Sequence, residues 1–144
     1  MARAERERLF AVHVVAARFL RAQLAREDTG GPARFLARHG VPVDGPWVVG
    51  YAPDRPNALI NELRRHRFTD VEIRASGLVR TSHYGQLVDR FRDRATIGVR
   101  DHHADGAPVV AFAGYAGPHA GPDVPPVLHS PATAIHRPGD VLDG

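Results

Sequence analysis

Three arginines within five residues, Arg90, Arg92 and Arg94, are the side chains best suited to chemistry in this sequence. A guanidinium group is planar and can donate two parallel hydrogen bonds to a phosphate, so a row of arginines is typical of a phosphate-binding surface. In an extended segment alternate side chains share a face, which predicts that the three arginines project together while Phe91 points into the core. We therefore expect a basic, phosphate-binding row at residues 90 to 94.

A structural role for these arginines is the alternative. Any one of them could pair with Asp89, Asp93 or Asp101 and hold a hairpin together. The composition does not decide between the two roles. The 19 basic residues, all arginine, exceed the 16 acidic ones only slightly and give a net charge of +3. A composition bias of the genome explains the missing lysine better than selection for phosphate binding, because Ala, Gly and Pro are abundant too.

Other kinds of active site lack their residues in this sequence. It contains no cysteine, which excludes disulfides, thiolate catalysis and a cysteine-ligated zinc site in this chain. No P-loop, GxGxxG or nucleophile-elbow pattern occurs, and no Asp-x-Asp pair offers carboxylates for two-metal phosphoryl transfer. His102, His103 and Asp105 could be metal ligands, but adjacent histidines point in different directions, so a polar turn is preferred. We predict a binding module with no catalytic residue, metal site or cofactor of its own.

The first part of the chain predicts a helical hairpin. Apolar residues recur at three- and four-residue steps from Ala4 to Arg26, which indicates a helix with one core-facing stripe. Pro32 suits the first turn of a second helix, and Gly40 suits its end. The predicted stripe consists of Leu9, Val12, His13, Ala16, Leu20 and Leu24.

Two further helices are expected after a Pro- and Gly-rich loop with a short strand around Trp47. Asp54 is the predicted cap of the third helix, with Pro56 near its start. Thr69 and Glu72 have the spacing of a capping box, which predicts a short fourth helix.

The second part of the chain predicts a hairpin. Ala95 to Val99 and Ala107 to Tyr115 have the pattern of two strands, and Arg100 to Gly106 that of the polar turn between them. Beyond a Gly- and Pro-rich loop, Ser130 and Pro131 suit the cap and first turn of another short helix. This order of elements predicts an α+β fold with the helices on one face of a small antiparallel sheet.

The length of 144 residues predicts a single domain, 1–144, with a helical part at about 4–76 and the hairpin and tail at about 78–144. No apolar run approaches the length of a membrane span, and the N-terminus lacks the pattern of a signal peptide. We therefore expect a cytoplasmic protein with no membrane partner.

Six short segments, in this order, resemble the N-terminal subdomain of the catalytic core of bacterial DnaG-type DNA primases. The segments are Gly50-Tyr51-Ala52-Pro53, Ser76-Gly77-Leu78, Asp89-Arg90-Phe91-Arg92-Asp93-Arg94, Val109 to Gly114, Ser130-Pro131-Ala132-Thr133 and His136-Arg137-Pro138-Gly139. The resemblance covers nearly the whole chain. It implies an α+β subdomain of a polymerase that makes RNA primers for DNA replication.

In this family the subdomain precedes a TOPRIM domain that carries the metal-binding carboxylates. The resemblance therefore implies that this chain holds single-stranded DNA template or nucleotide phosphates beside a TOPRIM active site in the same or another chain. It implies Mg or Mn only for that missing domain, and a replicative helicase as a further partner. The chain alone is not expected to synthesise primers.

The resemblance also assigns candidate nucleic-acid-binding residues. Arg92 and Arg94 would line the basic cleft, flanked by Arg90 and Arg137, with the departures Tyr115 and His129 where the family has an arginine and an asparagine. Tyr115 could stack on a base. Three or four phosphate contacts would give a slope of log K against log salt of roughly −2 to −3. The departures favour the alternative, a stand-alone protein-interaction or regulatory module that kept the fold.

Overall fold

The computed structural model describes residues 3–26, 30–117 and 120–138. In this part of the chain, α1 (Arg3–Arg26), α2 (Gly31–Arg38), β1 (Val49–Ala52), α3 (Ala58–Arg65), α4 (Asp70–Ala75), β2 (Val79–Thr81), β3 (Leu87–Asp89), β4 (Arg94–Arg100), β5 (Val109–Ala116) and β6 (Val127–His129) follow one another. Four strands form an antiparallel sheet in the order β1-β4-β5-β6, and β2 pairs with β3 in a separate hairpin. The predicted α+β class is confirmed. No described helix is long and apolar enough to cross a membrane.

The apolar stripe of α1 is buried as predicted. It packs against β1 and β5 of the sheet and against α3 and α4. The first two helices meet at the C-terminal end of α1, where Leu24 and Leu36 share a cluster, instead of packing along their length. The expected helical hairpin is thus replaced by a helix laid on a sheet.

Gly50 allows α1 to approach the sheet closely. A Cβ atom at this position would lie 2.6 Å from the Cβ of Leu20 and 2.8 Å from the hydroxyl oxygen of Thr96. Only glycine leaves enough room where a helix and a strand come this near. Gly50 and Thr96 are also direct partners in the pairing of β1 with β4. This face of the sheet is therefore covered by α1.

The other face of the sheet is partly covered by α2. Leu36 of α2 and Val41 form a buried cluster with Val49 and Ala95. Neighbouring strand residues point to opposite faces, so these side chains lie across the sheet from Gly50 and Thr96. The expectation that all helices lie on one face is wrong, because the apolar second face needs cover as well.

The hairpin of β4 and β5 is confirmed, with Ile97 opposite Ala113 and a turn at residues 101 to 108. The short helix expected at Ser130 and Pro131 is wrong for the described residues up to 137. The hydroxyl of Ser130 instead accepts a hydrogen bond of 2.9 Å from the backbone N–H of Phe112. Ser130 thus fastens the segment after β6 to β5, a role that excludes capping a helix there.

We expect Gly50→Ala to lower the free energy of unfolding by about 1 to 3 kcal/mol, the usual range for an overpacked site. The added methyl group must push either α1 or the side chain of Thr96 aside. Urea denaturation of the purified chain measures the change. Gly117→Ala is the matched control, because a Cβ atom at Gly117 would meet nothing within 4 Å. Equal stabilities of the two variants would contradict the close approach of α1.

Candidate functional site

The three arginines at 90, 92 and 94 do not share a face. The segment between β3 and β4 is not a strand, and Asp93 has a φ of 53°, in the left-handed region. The chain therefore turns before β4 begins, and the alternation that a common face requires is lost. Phe91 is buried as predicted. The predicted arrangement of the arginines is wrong, while their roles toward nucleic acid stay predictions.

Asp89 fixes the start of this segment from inside the protein. Its carboxylate is 5% exposed and accepts hydrogen bonds of 2.8 Å and 3.0 Å from the backbone N–H groups of Leu59 and Ile60. These groups belong to the first turn of α3, whose N-cap is Asn57. The predicted cap, Asp54, is not used there. A residue distant in sequence supplies the acceptors that the N-terminus of a helix needs.

Arg90 binds backbone carbonyls at the start of β2 and just before it. Its Nε donates to the carbonyl of Gly77 at 2.8 Å, and its Nη2 donates to the carbonyl of Val79 at 3.2 Å. Burial lowers the pKa of Arg90, and the nearby charge of Arg80 lowers it further. The guanidinium group is thus used to satisfy carbonyl groups along a two-stranded hairpin.

Arg94 is the most deeply buried of the three arginines, with 4% of its surface exposed. Its Nη1 donates to the carbonyl of Gly114 in β5 at 3.1 Å. Arg92 is exposed and forms an ion pair of 2.8 Å with Asp54. Of the three, Arg92 is therefore the most exposed, while Arg90 is partly buried.

A groove of about 810 Å³ opens on the face of the sheet that α1 does not cover. Alternate residues of β4 and β5 form its floor, and the loop before β1 forms one side with Trp47, which is 50% exposed. The floor residues are Ile97, Val99, Ala111, Ala113 and Tyr115. This volume is within the usual range for ligand sites.

Two of the predicted site residues, Tyr115 and His129, line this groove. Tyr115 pairs with Val127 and His129 with Ala113 across β5 and β6, so both side chains lie on the open face. Arg137 is exposed and lies between two residues that also line the groove. Arg90 and Arg94 are not among the lining residues. The structure thus separates the predicted set into a groove group and a group bound to backbone carbonyls.

Sequence analysis missed the contribution of Trp47, Arg100 and His102 to the groove. Trp47 precedes β1 by two residues, and its position in a loop gave no periodicity to predict its direction. In the turn after β4, the carboxylate of Asp101 accepts a hydrogen bond of 3.0 Å from the backbone N–H of His103. Among the described residues, no three His, Asp or Glu side chains gather to hold a metal ion.

His13 shows how firmly the opposite face is closed. It is fully buried on α1, with its ring stacked on Phe112 at 6.0 Å between centroids, and its Nδ1 donates to the carbonyl of Leu9 at 2.8 Å. Burial lowers the pKa of His13 to about 4. The ring is therefore neutral near pH 7 and acts as part of the core, as its place in the apolar stripe predicted.

The sequence matches a known protein family over most of its length. Residues 19–142 match the family described as "DNA primase catalytic core, N-terminal domain". A DNA primase of Streptomyces coelicolor is 36% identical over 147 residues, which cover 99% of this chain. The chain spans 22% of the length of that primase.

Solved structures show the same architecture. The RNA polymerase domain of Mycobacterium tuberculosis primase DnaG, in complex with double-stranded DNA, is 25% identical with a TM-score of 0.78. The match covers 92% of this chain and 41% of that one. A DnaG primase catalytic domain bound to ssDNA shares the fold at 23% identity, with a TM-score of 0.77 and coverage of 96% and 43%.

We expect Arg94→Ala to lower the free energy of unfolding by about 1 to 3 kcal/mol. The variant loses a buried charged donor, and the carbonyl of Gly114 loses the hydrogen bond that this donor makes. The matched variant Arg92→Ala should change stability by less than about 1 kcal/mol, since exposed ion pairs contribute little. Chemical denaturation of both variants measures this. Equal losses would mean that the difference in burial has no structural consequence.

We expect the Asp89 carboxyl group to titrate near pH 6 in the folded protein, because burial raises its pKa from 3.8 to about 6 against the opposing effect of the N–H groups at α3. A folded state with the higher pKa binds the proton more tightly. The stability that protonation of Asp89 contributes is thus fully present below pH 3.8 and is lost as the pH rises through 6.

Carbon-13 NMR of the Asp89 carboxyl carbon measures this titration, and an Asp89→Asn variant should lack the corresponding fall in stability. A midpoint below pH 3.8 would mean that the N–H groups of Leu59 and Ile60 outweigh burial.

Proposed function

Because this chain belongs to the family of DNA primase catalytic cores and contains its N-terminal domain, we propose that it is the nucleic-acid-binding subdomain of a DnaG-like primase. In this role it holds single-stranded DNA template, or nucleotide phosphates, beside a TOPRIM active site in the same or another chain. The reaction served is RNA primer synthesis for DNA replication. The open groove that contains Tyr115 and His129 is the observation that carries the proposal.

The charges around the groove suit a polyanion. Among the described residues, its lining includes Arg100 and three histidines and neither aspartate nor glutamate. Arg92 and Arg137 are exposed. Arg92 lies just before β4, at the end of the sheet where Ala95 pairs with Tyr115. A single DNA strand that enters the groove at Tyr115 can therefore pass near Arg92.

The catalytic metal ions are proposed to belong to the TOPRIM domain. Two-metal phosphoryl transfer needs carboxylates that hold both cations, and the described residues offer no such cluster. This subdomain would orient the template strand and keep it from lying elsewhere near the active site, while the second domain would supply Mg or Mn. A replicative helicase as partner and a cytoplasmic location complete the proposal.

Placement of the arginines reduces the number of phosphate contacts that we propose. Arg90 and Arg94 donate to backbone carbonyls, which leaves Arg92 and Arg137 as the exposed members of the predicted set. For single strands each neutralised phosphate contributes about −0.7 to the slope of log K against log salt. Two contacts then give about −1.4, less steep than the three or four contacts expected from sequence.

We expect the chain to bind single-stranded DNA weakly, with a salt slope of about −1.4. Arg92→Ala and Arg137→Ala should each reduce the slope by about 0.7 and weaken all sequences alike. Arg65→Ala, an exposed arginine at the end of α3 that pairs with Glu62, is the control and should leave the slope unchanged. Fluorescence anisotropy of a labelled oligonucleotide at several salt concentrations measures these values.

Absence of any DNA binding would refute this proposal. That outcome favours the alternative, a protein-interaction or regulatory module, for which the half-exposed Trp47 beside an apolar groove is the supporting observation.

A further inference from the structure

Aromatic rings line the groove on several sides. Trp47 stands on the loop before β1, Tyr115 lies on β5, His102 follows β4 and His129 ends β6. Between them the floor consists of aliphatic side chains. The aliphatic and aromatic carbon surface between the polar groups has little to offer a phosphate group, which needs charged or N–H donors. It does offer planar apolar contact.

One donor of the cation that lines the groove is bound to the backbone. Arg100 is the arginine among the described lining residues, and its Nη1 donates to the carbonyl of Ala107 at 2.9 Å. The exposed arginines 92 and 137 are not lining residues. Arg100 at the end of β4 and Arg137 beside two lining residues therefore place charge at the border of the groove, and aromatic surface lies inside it.

We propose that the groove is a base-stacking site that takes the nucleobases of a single strand, with Trp47 and Tyr115 as the two main platforms. The sugar-phosphate backbone runs along the rim. Base–aromatic stacking tolerates any sequence, because every base has a π-face. This inference rests on the proposed function for the class of ligand, and it adds that bases, more than phosphates, are what this chain holds.

The spacing of the two platforms favours an oligonucleotide. Gly98 donates its N–H to the carbonyl of Val48, which places Trp47 near Val99, whereas Tyr115 pairs with Ala95. Four residues along β4 separate these positions lengthwise, or about 13 Å at 3.3 Å per residue, and the two lie on opposite sides of β4, about 10 Å apart across the sheet. A mononucleotide can stack on one ring, and a short strand can reach both.

Trp47 supplies the measurement, because it is the one tryptophan of the sequence. The full chain is titrated with an oligothymidylate and with an abasic oligomer of the same length, which keeps the phosphates and lacks the bases. Anisotropy of labelled oligomers reports binding, and Trp47 fluorescence reports occupation of the groove. We expect oligothymidylate to change Trp47 fluorescence and to bind at least fivefold more tightly than the abasic oligomer, which should leave the fluorescence unchanged.

Variants of Tyr115 test the second platform. Tyr115→Ala should weaken oligothymidylate binding by about 5- to 140-fold, the equivalent of one stacked base, with little effect on the abasic oligomer. Tyr115→Phe keeps the ring and should bind normally. Tyr84→Ala removes a tyrosine that is 88% exposed in the turn between β2 and β3, outside the groove, and should bind normally too. Thermal melting of each variant verifies folding.

Three outcomes overturn the inference in different ways. If both oligomers bind equally while Trp47 fluorescence stays constant, DNA binds elsewhere, and the proposed function stands without a stacking groove. If neither oligomer binds, the proposed function fails together with the inference. If Trp47 responds to an added primase TOPRIM domain but not to oligothymidylate, the groove is a protein-docking surface.

Discussion

The close contact between α1 and the sheet at Gly50 determines which surface of this subdomain is available for binding. With the backbone of α1 against β1, the helix covers one face of the sheet, and the stacked pair of His13 and Phe112 closes that face toward β5. Within the described part of the chain, α2 and the loop before β1 cover part of the other face. They leave the floor formed by β4 and β5 open, and the groove lies there. The groove is thus what remains of this face after the core has been packed.

In the segment from Arg90 to Arg94, Phe91 is buried as predicted, but the arginines do not lie on the common face that the sequence predicted. Alternate residues share a face only if the backbone stays extended. The left-handed φ of Asp93 shows that the backbone is not extended there. Because the chain turns here, the three guanidinium groups point to different hydrogen-bond acceptors. Carbonyls of Gly77, Val79 and Gly114 hold Arg90 and Arg94, and Asp54 holds Arg92. None of these acceptors is close in sequence to its arginine, so no local pattern could assign them.

Much of the fold was predictable because its signals are local. The buried stripe of α1, the capping box at Thr69 and Glu72, and the hairpin of β4 with β5 all follow from spacings within a few residues. The hairpin of β2 with β3 and the strand β6 were missed, since each strand has three residues and no period can be measured over that length. The cap of α3 was misassigned to Asp54 because its acceptor, Asp89, is 30 residues from Leu59, a separation that only the folded chain closes. The order of six short motifs compensated for this, because together they indicate a family where single motifs do not.

In the proposed stacking site, bases and phosphates would lie in different environments, and this separation would have a consequence for a subdomain that guides a template. Charge at the rim attracts any strand from a distance, and salt screens that attraction. Stacking inside the groove acts only at contact and is insensitive to sequence and far less sensitive to salt. A template must be held firmly enough to stay in register and loosely enough to advance. Stacking on Trp47 and Tyr115, as proposed, would meet both needs, because each base that moved along the groove would exchange one π-face for another of similar affinity. A DNA strand fixed by bidentate arginine contacts would instead have to break two directed hydrogen bonds at each step.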